Sequence, residues 1–195
     1  MPRELPPDVR ELMLNYHTVA EMYRRTRTIL GEIYDDIAFE VASKSWYSAY
    51  SAHFRARVQN GNCLQVFKYR WHPSFTPDCP WLHMEYQVDV DRCRVVGRFD
   101  IERDATTDQA VRKIADAIVC ALRQKTPAFL QGQGWQLDPA GGRQVMLLRK
   151  SVNLPTGEGE LDASWIRQQG VSIMEDLSNI VETVDTTIDA LFPSK

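Results

Sequence analysis

The chain has 195 residues, of which 44% are hydrophobic and 25% are charged, close to the average for soluble globular proteins. A chain of this length buries a core of ordinary size, so we expect one domain spanning residues 1–195. The formal net charge of -3 excludes the strongly basic surface of a general nucleic-acid binder, although a local basic patch leaves nucleic acid open as a partner.

The beginning of the chain and its cysteines indicate the compartment. The first residues, MPRELPPDVRELM, are charged and rich in proline, unlike a secretory signal peptide. No apolar run reaches the roughly 20 residues of a membrane-spanning helix. The cysteines at positions 63, 79, 93 and 120 form no C-x2-C pair. We therefore expect a cytoplasmic protein with reduced thiols and no membrane association.

Residues 8–58 are predicted to form a helical N-terminal part. Asp8 is a candidate N-cap, and the apolar residues after it recur at spacings typical of an amphipathic helix. A second, shorter helix is predicted from Ser45 to about Val58, because Trp46, Tyr50 and Phe54 follow one another at intervals of four. The stripe of the first helix consists of Leu12, Tyr16, Val19, Tyr23, Leu30, Ile33, Ile37 and Val41.

Residues 62–150 are predicted to form a sheet of about five strands with one inserted helix. Its centre is the segment 81–103, where apolar and polar residues alternate in two runs that turn near residues 90–93. Further strands are predicted at 64–71, 135–137 and 144–150, and three prolines make 72–80 a loop. The inserted helix, which should cover the apolar face, has the stripe Val111, Ile114, Ile118 and Leu122.

A last helix is predicted over residues 161–192. Ile166, Gly170, Ile173 and Leu177 begin a stripe with spacings of three and four, close to a coiled-coil seam. Antiparallel strands grouped between long helices predict the α+β class, with the N- and C-terminal helices packed together. The alternative to packing within one chain is a homodimer through these terminal helices.

The polar face of the central strand pair supplies the candidate binding residues. A tight turn places residues whose numbers sum to about 183 opposite each other, so Glu85 should face Arg98 and His83 should face Asp100. One interpretation is a solvated ladder of ion pairs. The other is a groove in which His83, Glu85 and Asp100 act as ligands or acid–base groups. The candidate binding set is His83, Glu85, Arg98, Asp100, Lys68 and Arg70.

Motifs for catalysis and metal binding are weak. Cys79 and His83 form only one close pair of soft ligands, so we predict no metal and no cofactor. No nucleophile or phosphate-binding motif is present. Asp78 followed by Glu85 and Gln87 resembles the PD-(D/E)xK motif of restriction-type nucleases, with glutamine in place of lysine. A metal-dependent nuclease or nucleic-acid-processing accessory using Asp78 and Glu85 is therefore the alternative function.

The aromatic residues of the helical part favour a binding function. Aromatic side chains are enriched in protein interfaces, and three arginines lie close together in the first helix. The sequence thus predicts a non-catalytic macromolecule-binding or regulatory protein with a protein partner, self-associating through its long helices. A weaker option is a small-molecule pocket under the loop 72–80. The candidate interface residues are Tyr16, Tyr23, Arg24, Arg27, Trp46 and Tyr50.

Overall fold

A computed structural model describes residues 5–48, 54–59, 62–76, 79–102, 108–125, 133–137, 144–155 and 162–193. The fold is α+β, as predicted: a five-stranded antiparallel sheet with helices. The helices are α1 (Pro7–Leu14), α2 (Tyr16–Ser43), α3 (Ser45–Ser48), α4 (Asp108–Lys125), α5 (Ala163–Ser178) and α6 (Val181–Leu191). The strands are β1 (Phe54–Gln59), β2 (Cys63–Lys68), β3 (Trp81–Asp89), β4 (Arg94–Glu102) and β5 (Gln144–Asn153).

The strands pair in chain order, each antiparallel to the next. The predicted register of the central pair is confirmed, because Glu85 lies opposite Arg98 and His83 lies opposite Asp100. A 3-10 turn at Val90–Arg92 closes this hairpin, and α4 interrupts the succession of strands before β5. The side chains of β3 and β4 therefore alternate in phase, which gives the sheet two chemically different faces.

The prediction of a helix over residues 45–58 was wrong in its second half. Helix α3 ends at Ser48, and Phe54–Gln59 form the edge strand β1, paired with β2. Phe54 is fully buried whereas Arg55 is exposed, so the segment follows the period of a strand. Pairing with β2 thus overrides the local helical spacing.

Three other predicted boundaries also differ from the structure. The strand predicted at 64–71 ends at Lys68 and continues as the 3-10 turn Tyr69–Trp71. The predicted strand 135–137 is reduced to one bridge between Gln136 and Arg149. The last helix is divided between Ser178 and Val181 into α5 and α6. The five strands of the sheet therefore differ from the predicted set by gaining Phe54–Gln59 and losing 135–137.

Helices α2 and α5 cover the apolar face of the sheet, which we call the inner face. Tyr86 of β3 is fully buried there, and its hydroxyl donates a hydrogen bond of 2.8 Å to the carbonyl of Ile166. Gly170 of α5 lies where an added Cβ would come within 2.6 Å of Ile37 Cδ1. The absence of a side chain at this position thus allows α5 to approach α2 and the sheet closely.

The two long helices run side by side in the same direction. Gly170 lies beside Ile37, and the ammonium of Lys44 lies 2.9 Å from a carboxylate oxygen of Glu175. Helix α5 therefore begins alongside the middle of α2, and the first half of α2 extends beyond it. This arrangement confirms the predicted packing of the terminal helices. Among the described residues, no helix is both long and apolar enough to cross a membrane.

Candidate functional site

The face of the sheet opposite α2 and α5, which we call the outer face, carries a compact group of polar side chains. Register brings them together, because His83 is opposite Asp100, Glu85 is opposite Arg98, and Gln65 of β2 is opposite Glu85. Gln65, His83 and Asp100 have no exposed surface, and Glu85 is 1% exposed. The interpretation of this face as a solvated ladder of ion pairs is therefore wrong at its centre. We call these five residues the polar cluster.

Arg98 neutralises part of the negative charge in the polar cluster. Its Nη2 donates to Oε1 of Glu85, and its Nε lies 3.0 Å from Oδ2 of Asp100 as an ion pair without hydrogen-bond geometry. One guanidinium thus faces two carboxylates and engages one oxygen of each. With both acids ionised, the two carboxylates of the polar cluster outnumber its one guanidinium.

The two acids of the polar cluster have pKa values shifted in opposite directions. Burial raises the pKa of Asp100 to about 7, because the cost of removing its charge from water outweighs the attraction of Arg98. Burial also acts to raise the pKa of Glu85, but its hydrogen bond with His83 and the charge of Arg98 lower that pKa to about 2. Glu85 is therefore a carboxylate at neutral pH, whereas Asp100 exchanges its proton there.

Three side chains of the polar cluster meet at one point. Nε2 of Gln65 lies 3.3 Å from Nε2 of His83 and 3.2 Å from Oε2 of Glu85. The distance between His83 Nε2 and Glu85 Oε2 is 3.3 Å. Within the described ranges, Oε1 of Gln65, Nδ1 of His83 and both oxygens of Asp100 are buried without a hydrogen-bond partner. Such unsatisfied buried atoms are rare and point to a missing partner.

Aromatic rings border the polar cluster on the side of β2. The ring of Trp81 lies 5.3 Å from that of His83, and the ring of Phe67 lies 5.7 Å from that of Trp81. The guanidinium of Arg57 lies 5.2 Å from the centre of the Trp81 ring. These apolar walls lower the local dielectric constant and strengthen the electrostatic interactions inside.

Lys68 and Arg70 do not belong to the polar cluster, contrary to the sequence-based hypothesis. Lys68 shares its strand face with Leu64 and Val66, so strand parity places it on the inner side. There its ammonium pairs with Asp185 of α6, and Arg70 of the following turn pairs with Asp189. These two ion pairs fasten the end of β2 to the C-terminal helix.

The carboxylates suggested for a nuclease are not both within the described ranges. Asp78 lies outside the described residues. Glu85 is held by Arg98 and Gln65 in the polar cluster. Gln87, at the lysine position of the motif, lies on the outer face, and its Oε1 accepts a hydrogen bond of 3.4 Å from Arg98. The nuclease hypothesis thus stays a prediction.

The second candidate site is the segment 5–29, which consists of α1 and the first half of α2 and which we call the helical arm. Helix α1 has no buried residue, and the first buried residue of α2 is Leu30. Tyr16 and Tyr23 are 68% and 62% exposed, and the Arg27 guanidinium lies 5.8 Å from the Tyr23 ring. The large apolar residues exposed here are Leu5, Val9, Leu12, Met13, Leu14, Tyr16, Val19, Met22, Tyr23 and Ile29.

The remaining candidate interface residues fall into different places. Arg24 is on the helical arm and pairs with Glu21. Trp46 is partly buried against the core, with its ring 5.6 Å from that of Phe54, so it packs within the domain. Tyr50 lies outside the described residues. The structure therefore keeps Tyr16, Tyr23, Arg24 and Arg27 together and separates Trp46 from them.

Gln65 was missed because an uncharged residue within the run LQVFK carries no sequence signal of its own. Its position between Leu64 and Val66 was the available clue, since alternation sets it on the polar face.

The chain matches no protein-family model, no curated protein and no solved structure.

Proposed function

We propose that the protein is a non-catalytic macromolecule-binding protein that self-associates through the helical arm into an antiparallel homodimer. The proposal rests on a row of apolar side chains along one side of α1 and α2, which we call the seam. The rest of the fold covers one end of the seam and leaves the other end exposed. Ile33 and Ile37 of this seam are buried in the core, whereas Leu12 and Tyr16 are 54% and 68% exposed.

The seam has the repeat of a coiled coil. From Leu5 onward its residues are separated alternately by four and three positions, which keeps them on one side of two supercoiled helices. Only Thr26 is polar. The seam residues of the helical arm and its base are Leu5, Val9, Leu12, Tyr16, Val19, Tyr23, Thr26 and Leu30.

An exposed seam of this size favours a partner. At 1.5 Å per residue, residues 7–29, which are helical apart from the break at Asn15, extend for about 35 Å. Transfer of each large apolar side chain out of water contributes on the order of 1.5–3 kcal/mol. Monomeric proteins rarely leave such a continuous apolar patch exposed. A second helix laid along the seam would bury it and hold the helical arm in its helical form.

The charge distribution favours a second copy in the antiparallel direction. Asp8, Arg10 and Glu11 near the beginning of the helical arm sum to a charge of -1, and Glu21, Arg24, Arg25 and Arg27 near its end sum to a charge of +2. Parallel copies would set the arginines beside one another. Antiparallel copies set the acidic beginning of one helical arm beside the basic end of the other, and their helix dipoles also oppose each other.

Seam residues meet in one antiparallel register. When residue numbers sum to 35, Leu5 lies level with Leu30, Leu12 with Tyr23, and Tyr16 with Val19 of the second copy. This register also brings Leu5 of the second copy to the base of the helical arm. There Tyr23, Leu30 and Val88 are among the residues lining a cavity of about 170 Å³. An end of the second helical arm would fill this cavity.

The oligomeric state tests the proposal. We expect sedimentation equilibrium to show a dimer, and Val19→Glu to weaken it at least tenfold, because two carboxylates then enter the central layers. The matched control is Phe39→Glu, since Phe39 of α2 is 83% exposed but outside the seam. A wild-type monomer at high protein concentration, or an equal effect of both substitutions, would overturn the proposal.

A further inference from the structure

We propose that the polar cluster is a closed binding site for one divalent transition-metal ion, with Gln65, His83, Glu85 and Asp100 as ligands. This inference concerns the outer face of the sheet and is independent of the helical arm. It also departs from the sequence-based prediction of no metal, although the sequence analysis named His83, Glu85 and Asp100 as possible ligands; Gln65 is the added member of the set.

The spacing of the side-chain atoms fits a metal ion. The Gln65 amide, His83 Nε2 and Glu85 Oε2 are separated from one another by 3.2–3.3 Å. Metal–ligand bonds of about 2.0–2.2 Å set neighbouring ligand atoms about 3.0–3.5 Å apart. One oxygen of Asp100 completes the set, because donor atoms of His83, Glu85 and Asp100 all lie within 4.8 Å of one another.

Hydrogen bonds account for only two of the three contacts in this triangle of atoms. If the Gln65 amide donates to both neighbours, His83 Nε2 and Glu85 Oε2 are two acceptors 3.3 Å apart. If His83 Nε2 instead donates to Glu85, then His83 Nε2 and the Gln65 amide nitrogen are two donors that lie 3.3 Å apart. Rotating the Gln65 amide by half a turn places its oxygen next to the Glu85 carboxylate, so that two acceptors are in contact. With Glu85 ionised, no arrangement makes all three contacts hydrogen bonds.

A cation in place of the proton resolves the conflict. After the half-turn of the amide, Oε1 of Gln65, Nε2 of His83 and Oε2 of Glu85 all present lone pairs to one point. Before the half-turn, Oε1 is among the buried atoms of the described residues that have no hydrogen-bond partner, together with Nδ1 of His83 and both oxygens of Asp100. Metal binding would therefore give Oε1 a partner and remove the contact between two acceptors, while the half-turn moves the Gln65 amide nitrogen into the position that lacks a partner.

Arg98 is compatible with this site. It engages Oε1 of Glu85 and Oδ2 of Asp100, which leaves the other oxygen of each carboxylate for the metal. Its guanidinium would then act as an outer-shell donor that orients both acids. With both acids ionised, two carboxylates against one guanidinium leave the metal-free cluster with a negative charge, which attracts a cation.

The ligand set and its burial indicate the class of metal. One imidazole nitrogen with carboxylate and amide oxygens suits Zn²⁺ or Mn²⁺ better than Mg²⁺ or Ca²⁺, which prefer oxygen alone. The ligands are at most 1% exposed. A metal enclosed by protein ligands stabilises a fold, whereas a catalytic metal keeps a position open for substrate. The inferred metal therefore joins β2, β3 and β4 rather than activating a substrate.

Metal content and thermal stability test the inference on the whole protein. We expect protein stripped with EDTA and then supplied with Zn²⁺, Mn²⁺ or Co²⁺ to take up one ion per chain, and Co²⁺ to give visible d–d absorption. At free metal about 100 times the dissociation constant, the unfolded fraction falls about 100-fold and the Tm rises. Uptake of none of these ions, with the same Tm in metal and in EDTA, would overturn the inference.

A histidine variant and its matched control locate the site. His83→Asn removes the nitrogen ligand and should abolish the Co²⁺ absorption. His72→Asn should preserve it, although the ring of His72 also lies 5.3 Å from that of Trp81. Absorption that survives in His83→Asn, or that is lost in His72→Asn alone, would place the metal elsewhere and contradict the inference.

Gln65→Glu gives a second readout that does not depend on the folding of His83→Asn. An added carboxylate in the polar cluster should lower the Tm in EDTA through repulsion from Glu85, and should tighten metal binding at least tenfold. A residue with only a structural hydrogen-bonding role would produce the first effect without the second. A lower Tm with weaker or unchanged metal binding would therefore contradict the inference.

Discussion

Glu85 and Asp100 lie on the same face of adjacent strands and share one guanidinium, yet they hold their protons with very different affinities. Arg98 contacts both, but only Glu85 also accepts hydrogen bonds from Gln65 and His83. The pKa of Glu85 is lowered to about 2 and that of Asp100 is raised to about 7. Hydrogen bonding rather than burial therefore distinguishes the two acids.

In metal-free protein, Asp100 should make stability fall as the pH rises. The pKa of Asp100 is about 7 in the folded protein, compared with an ordinary value of 3.8. The folded protein therefore binds this proton more tightly than the unfolded chain. The stabilisation is complete below pH 4 and is lost by pH 7, with a total of a few kcal/mol. We expect Asp100→Asn to flatten urea-derived stability between pH 5 and 8 in EDTA.

The contribution of Glu85 has the opposite sign and a different pH range. Its lowered pKa stabilises the fold above about pH 4.5, and this stabilisation is lost as the pH falls toward 2. Glu85 therefore contributes no slope above about pH 5, and the difference between the wild type and Asp100→Asn in that range isolates the contribution of Asp100. The exposed turn variant Asp91→Asn serves as the control and should leave the slope unchanged. A slope that persists in Asp100→Asn would contradict this account.

Removing Glu85 should be far more costly than removing an exposed acid. Glu85→Ala leaves Arg98 partly buried with its charge only partly balanced, and loss of one partner of a buried pair costs about 3–5 kcal/mol. Glu21→Ala breaks the exposed pair with Arg24 and should cost at most about 0.5 kcal/mol. Chemical denaturation at pH 7 in EDTA measures both values, and similar losses would mean that the polar cluster is open to water.

The contact between α2 and α5 predicts a size limit at Gly170. A Cβ at this position would lie 2.6 Å from Ile37 Cδ1 and 3.0 Å from Tyr86 Cε1. Overpacking of this kind costs about 1–3 kcal/mol, which exceeds the gain of up to about 1 kcal/mol in helix propensity. We expect Gly170→Ala to lower the free energy of unfolding. Adding Ile37→Val, which removes Cδ1, should recover part of the loss in a double-mutant cycle, and simple additivity would disprove the contact.

The central hairpin could be predicted from the sequence because its determinants are local. A tight turn fixes the register of the two strands that it joins, so the pairs His83–Asp100 and Glu85–Arg98 follow from the position of the turn. The segment 45–58 was misassigned for an equally local reason. The aromatic residues of this segment follow one another at intervals of four positions, at Trp46, Tyr50 and Phe54. This interval suits one side of a helix and also one side of a strand.

Burial of the polar cluster depends on tertiary structure, which local patterns do not contain. Alternation indicates that His83 and Asp100 share a face, but not that this face is enclosed. The same limit applies to the helical arm. The periodic stripe of α2 is continuous in sequence, and only packing against the rest of the fold decides that Leu30 is buried and Tyr23 exposed. The sequence therefore predicts faces, whereas packing decides which faces are buried.

The direction of the proposed dimer can be tested by disulfide trapping. In the antiparallel register, Leu12 of one copy meets Tyr23 of the other, whereas in a parallel dimer Leu12 meets Leu12. Leu12→Cys alone should therefore cross-link poorly, and a mixture of Leu12→Cys with Tyr23→Cys should cross-link well under mild oxidation. Cys93 and Cys120 are exposed and would be replaced by serine in every sample. Efficient cross-linking of Leu12→Cys with itself would show a parallel dimer and contradict the charge argument.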